Sequence, residues 1–172
     1  MTKDLAQYSL LLAKDIQNGV PKRGKPPDEG MTPLSEQVIP FSIVRGSRGY
    51  IEKIVNQING CYENGWFDGC AVMIRRLIET LIIEVFEHHK IAHKIKNPSD
   101  DFLYLSELIT KTLAESSWNL GRNTKAALPR LKNIGDLSAH SRRYVAHRKD
   151  IDNIVADLRV VVQELVFLAK LK

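Results

Sequence analysis

The stretch YIEKIVNQINGCYENGWFDGCAVMIRRLIETLIIEVFE, residues 50–87, decides the fold. Ile51, Ile54, Val55, Ile58 and Cys61 recur at steps of three and four residues, a period that puts them on one face of a helix. Ser47 is the candidate N-cap, because its hydroxyl can accept from a backbone N–H of the first turn. Asn64-Gly65 stops the helix, since glycine tolerates the left-handed conformation that a helix end needs. A second helix is predicted from about Phe67 to His89. Cys70, Ala71, Ile74, Leu77, Ile78, Leu81, Ile82, Val85 and Phe86 form its apolar stripe. The connection is short, so the two helices fold back on each other as an antiparallel hairpin.

Toward the C-terminus, Asn97-Pro98 is expected to open a third helix with proline in its first turn. Its stripe is Phe102, Leu105, Leu108, Ile109 and Leu113. Residues 116–123 read as a loop around Gly121. A fourth helix is predicted to hold Pro129 in its first turn, to carry Leu131, Ile134 and Leu137 or Ser138, and to end near His140. Asp150 is the candidate N-cap of a fifth, whose stripe runs through Ile151, Ile154, Val155, Leu158, Val161, Val162, Leu165 and Leu168.

Toward the N-terminus, Leu5, Leu11, Leu12 and Ile16 mark a short amphipathic helix over residues 3–18. Residues 19–40 hold Pro21, Pro26, Pro27, Pro33 and Pro40, and proline fixes φ and removes a donor. They read as an extended linker, with Lys22-Arg23-Gly24-Lys25 as a solvated cluster within it. Val38-Ile39-Pro40-Phe41 is expected to be a short extended segment packed on the bundle. No run alternates with period two for long enough to build a sheet. The expected fold is all-α: a four- to five-helix up-and-down bundle over residues 47–172, preceded by a helix and a Pro/Gly-rich arm over residues 1–46.

Composition removes several classes. No apolar run is long enough to span a bilayer, and no membrane partner is expected. The first residues include Asp4 and Asp15 and do not read as a secretory signal. Cys61 and Cys70 are the only cysteines, so neither a disulfide scaffold nor a four-cysteine zinc site is available. Both lie on apolar stripes and read as buried thiols, which points to the reducing cytoplasm. His88, His89 and His93 put only two ligands on one face, so no metal site is expected. No Gly-rich phosphate loop, Ser-His-Asp order or paired-carboxylate signature is present, and no cofactor is expected.

The net charge of +5 becomes informative when it is counted by segment. Residues 122–149 carry Arg122, Lys125, Arg130, Lys132, Arg142, Arg143, Arg148 and Lys149 against one acid, Asp136, a local +7. The rest of the chain has 17 basic and 19 acidic residues, or −2. Such a local excess is the footprint expected of phosphate contacts. Within it lies GDLSAHSRRYVAH, residues 135–147. Asp136 and His140 are four apart and can meet on one helix face, where a carboxylate would fix the tautomer of the imidazole and raise its basicity. Histidine can then move protons at neutral pH, and Arg142 or Arg143 can hold a phosphate bidentately. These parts suit metal-independent cleavage of RNA and suit simple RNA binding equally. A helix C-terminus with cations facing the negative end of its dipole accounts for them as well. Arg75, Arg76 and Glu79, on the second helix, read as a structural ion-pair group, with Arg75 and Glu79 on the flank of the stripe and Arg76 pointing away.

Residues 50–87 together with LKNIGDLSAHSRR, residues 131–143, resemble a bacterial domain family of unknown function grouped with the HEPN superfamily. In that group a long helix with Arg-Arg-x-x-Glu packs against a later helix ending in Gly-(Asn/Asp)-x-x-Ala-His. The resemblance covers about residues 47–170. It implies a helical bundle, frequently a homodimer. It also implies either a ribonuclease of toxin–antitoxin or antiphage systems or a non-catalytic RNA-binding or scaffold domain. The nuclease motif of the superfamily is Arg, a polar residue, a few residues, then His. Asp136 and His140 match its last two members, while Gly135 stands at the arginine position. Arg142 and His147 form a second match, beyond the helix end.

The leading expectation is therefore a dimeric HEPN-like domain that binds RNA or another nucleic acid through residues 122–149. One alternative is a metal-independent endoribonuclease, with His140 as general acid or base, Asp136 orienting it and Arg142 or Arg143 on the phosphate. The other is a non-catalytic dimerisation or interaction protein, paired with itself or with an adjacent antitoxin-like partner through its apolar C-terminal helix.

Overall fold

The computed structural model describes residues 37–172. The expected helix over residues 3–18 and most of the Pro-rich arm lie outside the described residues. Among the described residues there are six α-helices and no strand. They are α1 (Gly49–Glu63), α2 (Phe67–His88), α3 (Leu105–Ala114), α4 (Arg122–His140), α5 (Arg148–Asp152) and α6 (Val155–Leu168). The architecture is an all-α bundle. Its centre is α2, which packs on all five other helices. None of these helices is long and apolar enough to cross a membrane.

The α1–α2 hairpin forms as the stripes predict. Ile51, Ile54, Val55 and Ile58 from α1 and Ile74, Leu77, Ile78, Leu81, Ile82 and Val85 from α2 are buried in one core. Gly65 sits at φ +75°, and the N–H groups of Gly65 and Trp66 return to the carbonyls of Tyr62 and Cys61. Those two bonds satisfy carbonyls that the helix leaves unpaired. The same closure ends α2 at Lys90 and α6 at Lys170, at φ 60° and 46°. Neither position announces itself in sequence, because lysine tolerates the left-handed region less well than glycine. Cys70 is buried and Cys61 half-buried, both as free thiols. Burial pushes both thiols above their ordinary values, the more deeply buried Cys70 further, with a smaller contribution from neighbouring Cys61.

Several predicted boundaries move. Ser47 does not cap α1. The helix begins at Gly49 after Arg48, and the Ser47 hydroxyl is buried without a hydrogen-bond partner. Asn97-Pro98 does not open a helix. The Asn97 carboxamide accepts from the N–H groups of Ser99 and Asp101, closing a turn that competes with helix, and α3 starts at Leu105. Pro129 lies well inside α4 rather than in its first turn, because the helix already begins at Arg122. Pro129 and Lys125, whose carbonyl loses its i→i−4 donor, are both exposed residues, so water can replace the missing donor. The last predicted helix is broken in two at Asn153-Ile154, which takes the count to six. Asp150 lies within α5, where its carboxylate accepts from the N–H of His147.

The described end of the arm belongs to the core. Val38, Ile39 and Val44 are buried with the bundle. A buried backbone there needs partners, and two side chains supply them. Asn59 of α1 accepts from the Ile39 N–H at 3.0 Å and donates to the Ile39 carbonyl at 2.9 Å. Arg159 of α6 donates to the carbonyls of Val38 and Gln37 at 2.9 and 2.8 Å. Asn59→Ala removes both bonds to Ile39 and should destabilise the fold by about 2 kcal/mol or more, read from the midpoint of urea unfolding.

Candidate nucleic-acid interface

The helix pair α2 and α4 carries the two segments on which the family resemblance rests. Their axes come close because residue 135 has no side chain. A Cβ built on Gly135 would lie 2.5 Å from Cβ of Arg75 and 3.1 Å from the carbonyl oxygen of Ala71. The aliphatic stem of Arg75 fills that space, and its guanidinium emerges on the flank of both helices. There Nε donates to Asp136 at 2.8 Å, and NH1 reaches Glu79 at 3.4 Å. Lys132 donates to the other oxygen of Asp136. Burial alone would raise the Asp136 carboxyl, but the Lys132 and Arg75 hydrogen bonds outweigh it and hold the group below the usual carboxylate range. Arg76 faces solvent. The Arg75–Glu79 pair thus forms as the spacing predicts, with Asp136 as its link to the neighbouring helix.

His140 ends α4 and is exposed. It shares a turn with Asp136, but the hydrogen bonds of Asp136 go to Arg75 and Lys132. Beyond it, Ser141 Oγ accepts from the N–H groups of Arg143 and Tyr144, starting the loop with a tight turn. The loop is pinned at its far end, where the Ala146 N–H donates to Asp68 in the first turn of α2 at 3.0 Å. Burial, together with Asp150 and Asp68, raises the Tyr144 phenol. His147 and Lys149 are exposed. Arg148 lies over the rings of Tyr62 and Phe67, at 4.6 and 5.7 Å from their centroids, and donates to the Tyr62 hydroxyl.

Folding divides the basic segment. Arg130 is paired with Asp157 at 2.6 Å and Lys132 with Asp136. Arg122, Lys125, Arg142, Arg143 and Lys149 pair with no carboxylate among the described residues. The first two sit at the start of α4 and the others beyond its end, about 27 Å apart at 1.5 Å per residue. The structure therefore groups Arg142, Arg143, His140, His147 and Lys149 at one end of the bundle and leaves Arg122 and Lys125 at the other end of α4.

Two features escaped the sequence. Trp66 is the N-cap residue of α2 and is 58% exposed, two residues before the Asp68 that holds this loop. The signal was a tryptophan in a turn, off every apolar stripe and at a cap position where a small polar residue is the rule. Glu84, at the other end of α2, is buried and takes both the Tyr50 hydroxyl and Arg48. It borders a cavity of about 350 Å³ with Ser47, Glu87, His88 and Lys170. Among the described residues no group of three or more His, Cys, Asp or Glu side chains could hold a metal ion. His89 instead packs on Trp118, their ring centroids 5.0 Å apart.

Comparison with family models, curated proteins and solved structures returns no match for this chain.

Two outcomes follow for the helix pair. Gly135→Ala should cost about 1–3 kcal/mol in urea unfolding, since the new methyl meets backbone and a packed stem rather than a mobile tip. The depressed Asp136 carboxyl contributes stability that is present above its unfolded pKa, about 3.9, and is lost as pH falls through its folded value. Acid unfolding of Asp136→Asn should therefore lose the part of the pH dependence that lies below about pH 4.

Proposed function

We propose that this chain is a HEPN-like domain that binds RNA without cutting it, through the loop that follows α4. The observation that carries the reading is the exposed pair Arg142 and Arg143. Neither has a carboxylate partner among the described residues, and both sit on a loop pinned to the first turn of α2. Adjacent guanidiniums free of acids are suited to bidentate phosphate contacts. His140 and His147 flank them and offer further donors.

Binding is favoured over cleavage by the state of Asp136. A ribonuclease built on His140 wants a carboxylate to orient the imidazole, and Asp136 is spent on Arg75 and Lys132. Gly135 has no room for the motif arginine, because the Arg75 stem already occupies the space. A homodimer belongs to the same reading. The outer face of α6 supports it, since Val160 and Phe167 are both exposed there.

The test is a titration of a fluorescein-labelled single-stranded RNA of about 20 nucleotides, followed by anisotropy at two salt concentrations with chelator present. The wild type should bind more weakly as salt rises and leave the RNA intact. Arg142→Ala with Arg143→Ala should weaken binding at least about tenfold and flatten the salt dependence by roughly two phosphate contacts. Binding that ignores the double substitution overturns the assignment. RNA cut by the wild type but not by His140→Ala establishes the nuclease instead. Light scattering on the same samples gives the mass, and a monomer would remove the homodimer from the reading.

A further inference from the structure

We infer that the bound RNA is single-stranded and that one of its bases stacks on the indole of Trp66. The inference rests on the RNA-binding reading above and names the form of the ligand at that same end of the molecule.

Three observations place an aromatic platform beside the cationic loop. Trp66 is 58% exposed at the N-cap of the central helix, in the turn between α1 and α2. Its neighbours tie it to the loop: Asp68 accepts from the Ala146 N–H, and Arg148 lies over Phe67. Three residues of chain span at most about 10 Å, so the Cα of Arg143 lies within that distance of Ala146. Val145, between them, is 61% exposed and extends the apolar surface.

The charges at this end say what such a platform would contribute. Arg142, Arg143, Arg148 and Lys149 stand against Glu63, Asp68, Asp150 and Asp152. Each of the three aspartates already accepts a hydrogen bond, from Ala146, His147 and Tyr62 respectively. Their charges remain, so long-range attraction for phosphate is small and the phosphate contacts are local. Affinity must then come from elsewhere, and an exposed indole beside guanidiniums is the arrangement that holds unpaired bases. A duplex presents no free base face, so the site should reject it.

The experiment compares wild type, Trp66→Ala and Trp66→Phe, using single-stranded RNA, a duplex of the same sequence and inorganic polyphosphate as probes. Trp66 projects from the surface, so neither substitution empties the core. Trp66→Ala should bind single-stranded RNA about tenfold or more weakly, within the range stacking contributes, and Trp66→Phe should recover most of the loss. Affinity for polyphosphate should change less than about twofold in either variant, since the phosphate contacts remain. The Trp66 share of the emission, taken as the difference between wild type and Trp66→Phe because Trp118 also emits, should be quenched by single-stranded RNA and by neither other probe. An equal loss toward polyphosphate, or equal binding of duplex, overturns the inference. Unchanged RNA binding by Trp66→Ala overturns it while leaving the RNA-binding reading intact. Absence of RNA binding by the wild type removes both. Quenching that depends on protein concentration without RNA assigns Trp66 to a protein–protein contact and overturns it too.

Discussion

The close approach of α2 and α4 at Gly135 is the constraint on which the rest of the molecule depends. With no Cβ at 135, the Arg75 stem can lie flat between the helices and deliver its guanidinium to Asp136. That contact sets where α4 runs along the central helix, and so where His140 and the following loop begin. The other end of the loop returns to α2, through Ala146 and Asp68. Both ends of the cationic loop are thus referenced to one helix. A loop held that way keeps its few donors in place without a core of its own.

The same contact changes the meaning of the motif. In sequence, Asp136 beside His140 reads as half of a catalytic pair. In the fold, Asp136 is one of two acids in a four-residue bridge with Arg75, Lys132 and Glu79. The spacing rule that lets Asp136 reach His140 lets it reach Lys132 equally, one turn earlier rather than one turn later. Which neighbour wins is decided by Arg75 on another helix, 61 residues away in sequence. No local pattern carries that information.

Legibility followed the range of the interaction. The stripes of α1 and α2 were readable because each is a long periodic repeat, and the stop at Asn64-Gly65 because one glycine meets one backbone requirement. The buried segment at Val38 and Ile39 was readable as apolar residues in a polar arm. The starts of helices were not. Ser47, Asn97-Pro98 and Asp150 all have the chemistry of an N-cap, yet the Ser47 hydroxyl makes no hydrogen bond, Asn97 closes a turn, and Asp150 completes the capping box of α5 from its third position. Cap residues satisfy backbone groups in turns as readily as in helices, so their type alone does not distinguish the two. Pro129 misled for a related reason. Its cost inside a helix depends on whether the orphaned carbonyl faces water, which only packing decides.

Charge shows the same division between what sequence states and what folding does with it. The local +7 of residues 122–149 is a property of the chain, not of a surface. Folding neutralises Arg130 and Lys132 against acids from other turns, stacks Arg148 on aromatic rings, and sends Arg122 and Lys125 to the far end of α4. What remains at the loop is a pair of guanidiniums, two histidines and a lysine, set among three engaged carboxylates. A surface of that kind does not collect polyanions from a distance, because potentials that steer association need a summed excess of one sign. It can discriminate at contact range, where a planar fork or a ring face matches one partner geometry and not another. On the RNA-binding reading proposed above, the segment acts as a small specific site rather than as a basic patch, with the uncharged Trp66 supplying what its guanidiniums cannot.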